Sequence, residues 1–262
     1  LIAVAGGTGT LGTALVDELL ERGQTVRILS RHRPASLATG CEHRSIDLSL
    51  SDSDQAGRLT SALEGVRTVV DAANNATRPG PLMLNGTERL LAACAVSGVT
   101  HFVGVSIVGC EKVGLGYYRA KARQEQLVRN SPVPWSLLRS TQFHELLDSL
   151  MSKTSTVGLL PGGAARLQPI ACSEVGARLG EIAQSPPLNA AATVAGPEVA
   201  SLAELSGVWR AVRRRRCLIV PLPLVGKTGG ALKRGAFTDR DRAQPGPGFA
   251  SWLESSGGQP SG

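Results

Sequence analysis

Tyr117 and Lys121 stand four residues apart, so on a helix they share one face. A free tyrosine hydroxyl ionises near pH 10, and a neighbouring ammonium favours the phenolate. Such a pair can exchange a proton with a carbonyl or an alcohol. The alternative is that Tyr117, or Tyr118 beside it, is only a packing or surface residue of an amphipathic helix. A second chemical signal lies at the start of the chain. The apolar run 1–5 is followed by Gly6, Gly9 and Gly12, and then by Ala14, Leu15, Leu19 and Leu20 at helical spacing. Strand, glycine turn and helix in that order aim backbone N–H groups and a helix N-terminus at a pyrophosphate. Gly6 permits the turn, Gly9 lets the backbone approach phosphates, and Gly12 lets the helix pack closely. A tight structural turn without a ligand is the lesser alternative, because the strand before and the helix after are both legible.

Past the second expected strand, an acidic residue would accept the ribose hydroxyls of NAD. This chain has Ser30-Arg31-His32-Arg33 there. A guanidinium pairs with a 2′-phosphate that a carboxylate would repel, so NADP(H) is favoured over NAD(H). Alternatively, Arg31 stacks on the adenine and suits either cofactor.

These residues need a frame. Strands are expected at 25–29, 44–48, 67–71, 101–106 and 134–139. Helices are expected at 52–63, 82–97 and 117–130. Alternation of this kind predicts right-handed crossovers and an α/β fold, a Rossmann-type doubly wound parallel sheet. Ligands of such sheets bind outside the carboxyl ends of the strands, where every motif above falls. A Rossmann domain over 1–155 is expected, followed by a smaller C-terminal substrate lobe over 156–262, both within one globular unit. Gly158, Pro161, Gly162 and Gly163 mark a loop there. A helix near 173–184, a seventh strand, a covering helix pair and a frayed tail at 255–262 complete the reading.

Further motifs follow in order: Asn85-Gly86-Thr87, Ser106-Ile107-Val108-Gly109, Tyr117 to Lys121, Leu138 to Phe143, and Gly246, Phe249, Trp252 and Leu253. With the Gly6-x-x-Gly9-x-x-Gly12 spacing and Arg31, the chain resembles the atypical short-chain dehydrogenase/reductase superfamily, in its NmrA-like, NAD(P)H-binding branch. The resemblance implies that Gly6, Thr8, Gly9, Thr10, Leu11 and Gly12 hold the pyrophosphate. Asp47 and Leu48 would contact the adenine, and Ala72, Ala73 and Asn74 would border the adenine-side ribose and phosphates. Lys121 would hold the nicotinamide ribose, Ser106 would orient a substrate oxygen, and Tyr117 would be the proton donor. Lowering the Tyr117 hydroxyl to neutrality needs roughly 4 kcal/mol, within reach of Lys121 plus an oxidised nicotinamide ring. Thr141 and Gln142 would face the carboxamide or substrate, and Phe143 would wall the ring. His144-Glu145 reads as a helix-start polar pair more readily than as an acid–base pair. The connection from Ser106 to Tyr117 spans eleven residues, shorter than is usual in that superfamily.

The implied activity is NADP(H)-dependent hydride transfer to a small carbonyl or quinone-like substrate held in a cleft of the C-terminal lobe. Two rivals stand beside it. One is a non-catalytic NADP(H)-sensing regulator with a protein partner, and the other is a nucleotide-sugar epimerase or dehydratase using the same Tyr/Lys pair.

Composition narrows the classes. Of 262 residues, 42% are hydrophobic and 19% charged, as in a globular domain. The five cysteines are scattered without a C-x-x-C pair, and the four histidines have no ligand spacing, so neither a disulfide framework nor a metal site is expected. The net charge is +7, yet aromatics are only 3%, too few for base-stacking platforms, so no nucleic-acid partner is expected. The run Arg213 to Arg216 reads first as a solvated helix end, with an anionic partner as the alternative. No apolar stretch reaches about 18 residues, so no membrane partner is expected. With the first core strand at residue 1, the expected location is the cytoplasm.

Overall fold

A computed structural model describes residues 1–50, 53–75, 80–223 and 225–256. In chain order its first elements are β1 (Ile2–Ala5), α1 (Thr10–Glu21), β2 (Val26–Ser30), β3 (Cys41–Ser45), α2 (Ser53–Ala62) and β4 (Thr68–Asp71). Next come a π-helical turn (Gly80–Gly86), α3 (Thr87–Val96), β5 (His101–Ile107), α4 (Gly116–Arg129) and β6 (Trp135–Ser140). There follow α5 (His144–Ser155), β7 (Leu159–Gly162), β8 (Arg166–Leu167), α6 (Cys172–Gln184), β9 (Ala191–Val194) and β10 (Ala200–Ser201). The last are α7 (Leu202–Val212), β11 (Leu218–Pro221), α8 (Gly226–Lys233) and α9 (Phe249–Ser256).

Strands β1, β2 and β4 bury every residue, as the inner strands of a parallel sheet covered on both faces must. They pair in parallel, with β3 outside β2 and β5 beside β4. The seven-stranded order is β3-β2-β1-β4-β5-β6-β9, a mostly parallel Rossmann-type sheet as the alternation of elements predicts. The reversal of strand order at β1 and β4 opens the crevice in which such folds take their ligands.

The chain folds into two compact units. The first comprises Leu1–Ser106, Gly116–Arg139 and Val175–Ala192; the second comprises Ile107–Leu115, Ser140–Glu174 and Thr193–Gly262. The boundaries of the two units fall in β5, β6, α6 and β9 and before α4. Each unit has its own core. Leu29, Leu63, Val69, Leu90 and Phe102 belong to that of the first. Met151, Leu160, Leu205, Trp209 and Leu253 belong to that of the second. In the second, Ser201 and Glu204 close a capping box at the start of α7, each side chain bonding the other's backbone N–H.

Three local expectations are corrected. The third strand ends at Ser45, because Asp47 accepts from the Ser49 N–H at 2.8 Å and turns the chain. Asp47 and Leu48 therefore follow the strand instead of ending it. The helix expected at 82–97 is a π turn up to Gly86 and an α-helix only from Thr87. The loop expected at 158–163 contains β7, which pairs in parallel with β11 from Leu159↔Leu218 to Gly162↔Pro221. A partner almost sixty residues away overrides the local proline and glycine signal. Residues 52 and 257–262, the helix start and most of the expected frayed tail, lie outside the described residues.

Two buried histidines make stability depend on pH. His101 shares a 2.8 Å hydrogen bond between its Nε2 and the Ser136 hydroxyl, and its Nδ1 is buried without a partner. His144 pairs through Nε2 with the Pro247 carbonyl at 3.2 Å, and its Nδ1 is likewise unpartnered. Burial lowers both from the ordinary 6.5 to about 4. In the unfolded chain both protonate near 6.5, so between 6.5 and 4 the unfolded state binds more protons. Stability is full above that window and is lost as the pH falls through it. The urea midpoint is expected to decline from pH 6.5 to 4, and His101→Gln to make that decline shallower.

Candidate functional site

Gly6 follows β1 with φ at +74°, the left-handed region that glycine alone enters freely. A Cβ there would also lie 2.8 Å from the Ala73 Cα, so the chain leaving β4 packs directly on the turn leaving β1. A Cβ on Gly12 would lie 2.0 Å from the Gly6 carbonyl oxygen, which fixes how closely α1 approaches the turn. At Gly9 the nearest neighbour to such a Cβ is 3.3 Å away, and Thr8, Gly9 and Thr10 are exposed. Gly9 caps α1 without a side-chain hydrogen bond, and the first turn of the helix carries no acidic residue. Its leading amides thus have no side-chain anion, and they present positive partial charge to the exposed turn. This cradle fits a pyrophosphate. Leu11 contributes through its backbone alone, because its side chain is buried.

On the neighbouring strand ends, Arg31 is exposed directly after β2, and its carbonyl accepts from the Ser45 hydroxyl at 3.0 Å. Ser30 donates to the His32 carbonyl at 2.8 Å and lies 3.0 Å from His43 Nε2. Burial pushes the Asp47 carboxyl up, but hydrogen bonds from Ser49 and the charges of Arg31 and Arg89 outweigh it and hold the group below its ordinary value. Leu48 turns its side chain into the first unit's core, and its carbonyl accepts from Arg89. Ala72 and Ala73 are half-buried and Asn74 is exposed, all immediately beyond β4.

The Tyr117 hydroxyl donates to Asn74 Oδ1 at 3.2 Å. This bond brings the first turn of α4 to the carboxyl end of β4, next to the segment that packs on Gly6. Tyr118 meets Tyr117 edge-on at 5.2 Å between ring centroids. Its own hydroxyl is pushed up to about 12 by burial and by Tyr117, which keeps it protonated.

Lys121 is only 4% exposed. Its Nζ donates to the Val105 carbonyl at 3.1 Å and to Gln124 Oε1 at 3.0 Å. Gln124 Nε2 in turn donates to Thr87 Oγ1 at 2.8 Å and to Asp71 Oδ2 at 3.3 Å. Thr87 donates to Asp71 Oδ2 at 2.8 Å, and the Ala73 N–H donates to Asp71 Oδ1 at 3.2 Å. Burial raises the Asp71 carboxyl against the pull of Thr87, Lys121, Ala73 and Gln124. Tyr117, Lys121 and Gln124 are spaced i, i+4, i+7, one face of α4, a signal in the sequence that names Gln124 as the third member. Nothing in the sequence singles out Asp71 or Thr87 as its partners.

Ser106 follows Val105 in β5. It is buried, and its hydroxyl bonds the Glu125 carboxylate. Glu125 also takes Arg139 in two contacts, of 2.8 and 2.6 Å, and Arg129 at 3.4 Å. Burial raises the Glu125 carboxyl, but Arg139, Ser106 and Arg129 together hold it below its ordinary value.

The remaining predicted residues belong to the second unit. Thr141 is buried and its Oγ1 accepts from the Gly196 N–H at 3.1 Å. Gln142 donates to the Phe237 carbonyl and accepts from the Gln168 N–H. His144 is the first residue of α5, stacked on Phe249 and Trp252, and Glu145 accepts from the Cys172 N–H, as a helix-start pair would.

The sequence model of the NAD(P)H-binding family matches residues 6–158, more than half of the chain. The chain belongs to the NAD(P)H-binding family. It is 31% identical over 180 residues to the (4-alkanoyl-5-oxo-2,5-dihydrofuran-3-yl)methyl phosphate reductase of Streptomyces griseus, covering 66% of this chain and 58% of that one. Among solved structures, an NADPH-dependent quinone oxidoreductase from Escherichia coli complexed with NADPH superposes with a TM-score of 0.81 at 16% identity, covering 97% of this chain and 99% of that one. A Citrobacter triphenylmethane reductase complexed with NADP(H) gives 0.78 at 15%, with the same coverage. These neighbours share the fold of this chain, built on a mostly parallel Rossmann-type sheet.

The polar network around Lys121 is open to direct test. Gln124→Leu removes one acceptor from a buried ammonium and one donor from a buried carboxylate. Val105 and Thr87 still serve these two groups, and a lost hydrogen bond to a charged group costs about 1.5–3 kcal/mol. A loss in this range is expected in urea unfolding, accompanied by weaker binding of the nicotinamide cofactor.

Proposed function

We propose that this protein is an NADP(H)-dependent oxidoreductase acting on a small carbonyl or quinone-like substrate. The observation that carries the reading is the Tyr117–Asn74 hydrogen bond, which joins the Tyr/Lys helix to the strand end beside the glycine turn. The names of the Streptomyces reductase and the two structural neighbours support reductive chemistry as the class. In this reading the amides of Thr8 to Gly12 bind the pyrophosphate and Arg31 pairs with the 2′-phosphate. Asp47 and Leu48 lie on the adenine side, and Ala72 and Ala73 keep the path of the cofactor clear. NADPH, when bound, supplies the hydride that reduces the substrate carbon.

The protein's part is to hold and move the proton. Tyr117 donates its hydroxyl proton to the substrate oxygen, and the resulting phenolate is stabilised by the nearby Lys121 ammonium, then reprotonated from solvent. Lys121 is fixed for this role by Val105 and Gln124, and would hold the nicotinamide ribose.

The bond between Ser106 and Glu125 favours a second reading. The hydroxyl that the resemblance assigns to a substrate oxygen is here engaged with a buried carboxylate. A cofactor-binding sensor with a protein partner needs no such hydroxyl.

Two measurements decide. In fluorescence titration NADPH is expected to bind more tightly than NADH. Arg31→Ala should weaken NADPH about tenfold, the worth of one charge-assisted hydrogen bond, and leave NADH unchanged. Tighter binding of NADH would remove the role given to Arg31. On a panel of carbonyls and quinones, Tyr117→Phe should lower kcat by about 10²–10⁴ with cofactor binding retained. Cofactor binding without turnover on any substrate would favour the sensor.

A further inference from the structure

The chain's positive charge is not evenly spread. From Leu205 to Thr238 there are eight Lys and Arg (Arg210, Arg213 to Arg216, Lys227, Lys233 and Arg234) and no Asp or Glu. The whole chain has 28 basic and 21 acidic residues, so outside this segment 20 basic residues face 21 acidic ones. The excess charge of the protein therefore resides in this one stretch of the second unit. Arg213 is bound to Asp148 at 3.2 Å and Arg210 to the Cys217 carbonyl at 3.1 Å. Arg214, Arg215, Arg216 and Lys227 are exposed.

Between these cations runs β11, paired with β7. One face of this two-stranded ribbon packs inward through Leu160 and Ile219. The other carries Leu218, 71% exposed, beside its register partner Leu159, followed by Val220 at 43% and Leu222 at 48%. Val225, 79% exposed, follows just before Lys227. Aliphatic side chains alternating outward from a strand, with cations at both ends, make an unpartnered apolar face rimmed by positive charge.

We propose that this face docks on an anionic lipid surface, with Leu218, Val220, Leu222 and Val225 entering the headgroup boundary and Arg214 to Arg216 and Lys227 meeting the lipid phosphates. Three observations choose this occupant over others. Pro221 and Pro223 have no N–H to offer along this strand, which opposes the addition of a partner strand. Trp209 and Phe237, the aromatic residues of the segment, are both buried, so no ring is presented for base stacking. A bilayer asks only for non-directional apolar burial plus cations, which is what the face supplies. Such a peripheral contact needs no spanning segment, the feature on which the expectation of no membrane partner rests. Among the described residues no helix is long and apolar enough to cross a membrane.

The test is co-sedimentation of the full chain with vesicles of equal parts phosphatidylglycerol and phosphatidylcholine, against phosphatidylcholine alone. Partition onto the anionic vesicles, weakened by salt, is expected. A cation near such a surface is worth about fivefold in partition, so Arg215→Ser with Arg216→Ser should lower it roughly 25-fold. Leu218→Ser with Val225→Ser should weaken it at every salt concentration, and unchanged circular dichroism would show both variants folded. A Leu218→Trp variant should be quenched by brominated acyl chains. Equal partition onto neutral vesicles, variants that bind as the parent does, or no quenching would each overturn the proposal. So would failure to bind lipid in a protein that instead self-associates, or that captures RNA or a polyglutamate chain.

Discussion

A carboxylate buried at the end of β4 organises the candidate site. Asp71 has no exposed route to water, so its oxygens must be met by protein donors, and those donors come from three segments. Ala73 supplies an amide from the chain that packs on Gly6, Thr87 a hydroxyl from the first residue of α3, and Gln124 an amide from α4. A buried acceptor left unmet is costly, so the three segments are held in register by one group. Lys121 enters through Gln124 and adds a positive charge near the carboxylate. A buried hydrogen-bonded network of this kind gives each member little freedom.

Helix α4 serves two clusters at once. Tyr117, Lys121 and Gln124 face the end of β4, whereas Glu125 turns to Ser106 and to the arginines at 129 and 139. The Glu125 carboxylate is nearly inaccessible, and two guanidiniums plus a hydroxyl meet it, so this cluster fixes the lower half of the helix on β6. Lys121 donates to the carbonyl of Val105, and the next residue, Ser106, bonds Glu125 on the same helix.

The two units differ in how they treat charge. In the first, buried guanidiniums are matched inside the fold. Arg27 in β2, for example, bonds Glu42 at 2.7 Å and the carbonyls of Ala62 and Glu64 at 2.8 Å each. In the second, the basic stretch after α7 has, among the described residues, one internal carboxylate partner, Asp148, at Arg213, and sends its other arginines to the surface beside an exposed aliphatic strand. Charge that a fold does not use internally is available to a partner.

The sequence by itself determined what is local. The glycine turn is legible because the positive φ at Gly6 and the clash that forbids a side chain at Gly12 both lie within one strand–turn–helix unit. The buried strands β1, β2 and β4 announce themselves as apolar runs, and the i, i+4 spacing of Tyr117 and Lys121 fixes their shared face. Tertiary structure decided the rest. β7 forms across a proline because β11 supplies its partner from far along the chain. The third strand shifts because Asp47 finds Ser49. Lys121 is directed into a network whose members lie up to 53 residues apart. Ser106, within β5, bonds Glu125 of α4, a residue nineteen positions on. Hydrogen-bond partners of buried polar groups are chosen by proximity in space, and spacing along a chain carries no record of that choice.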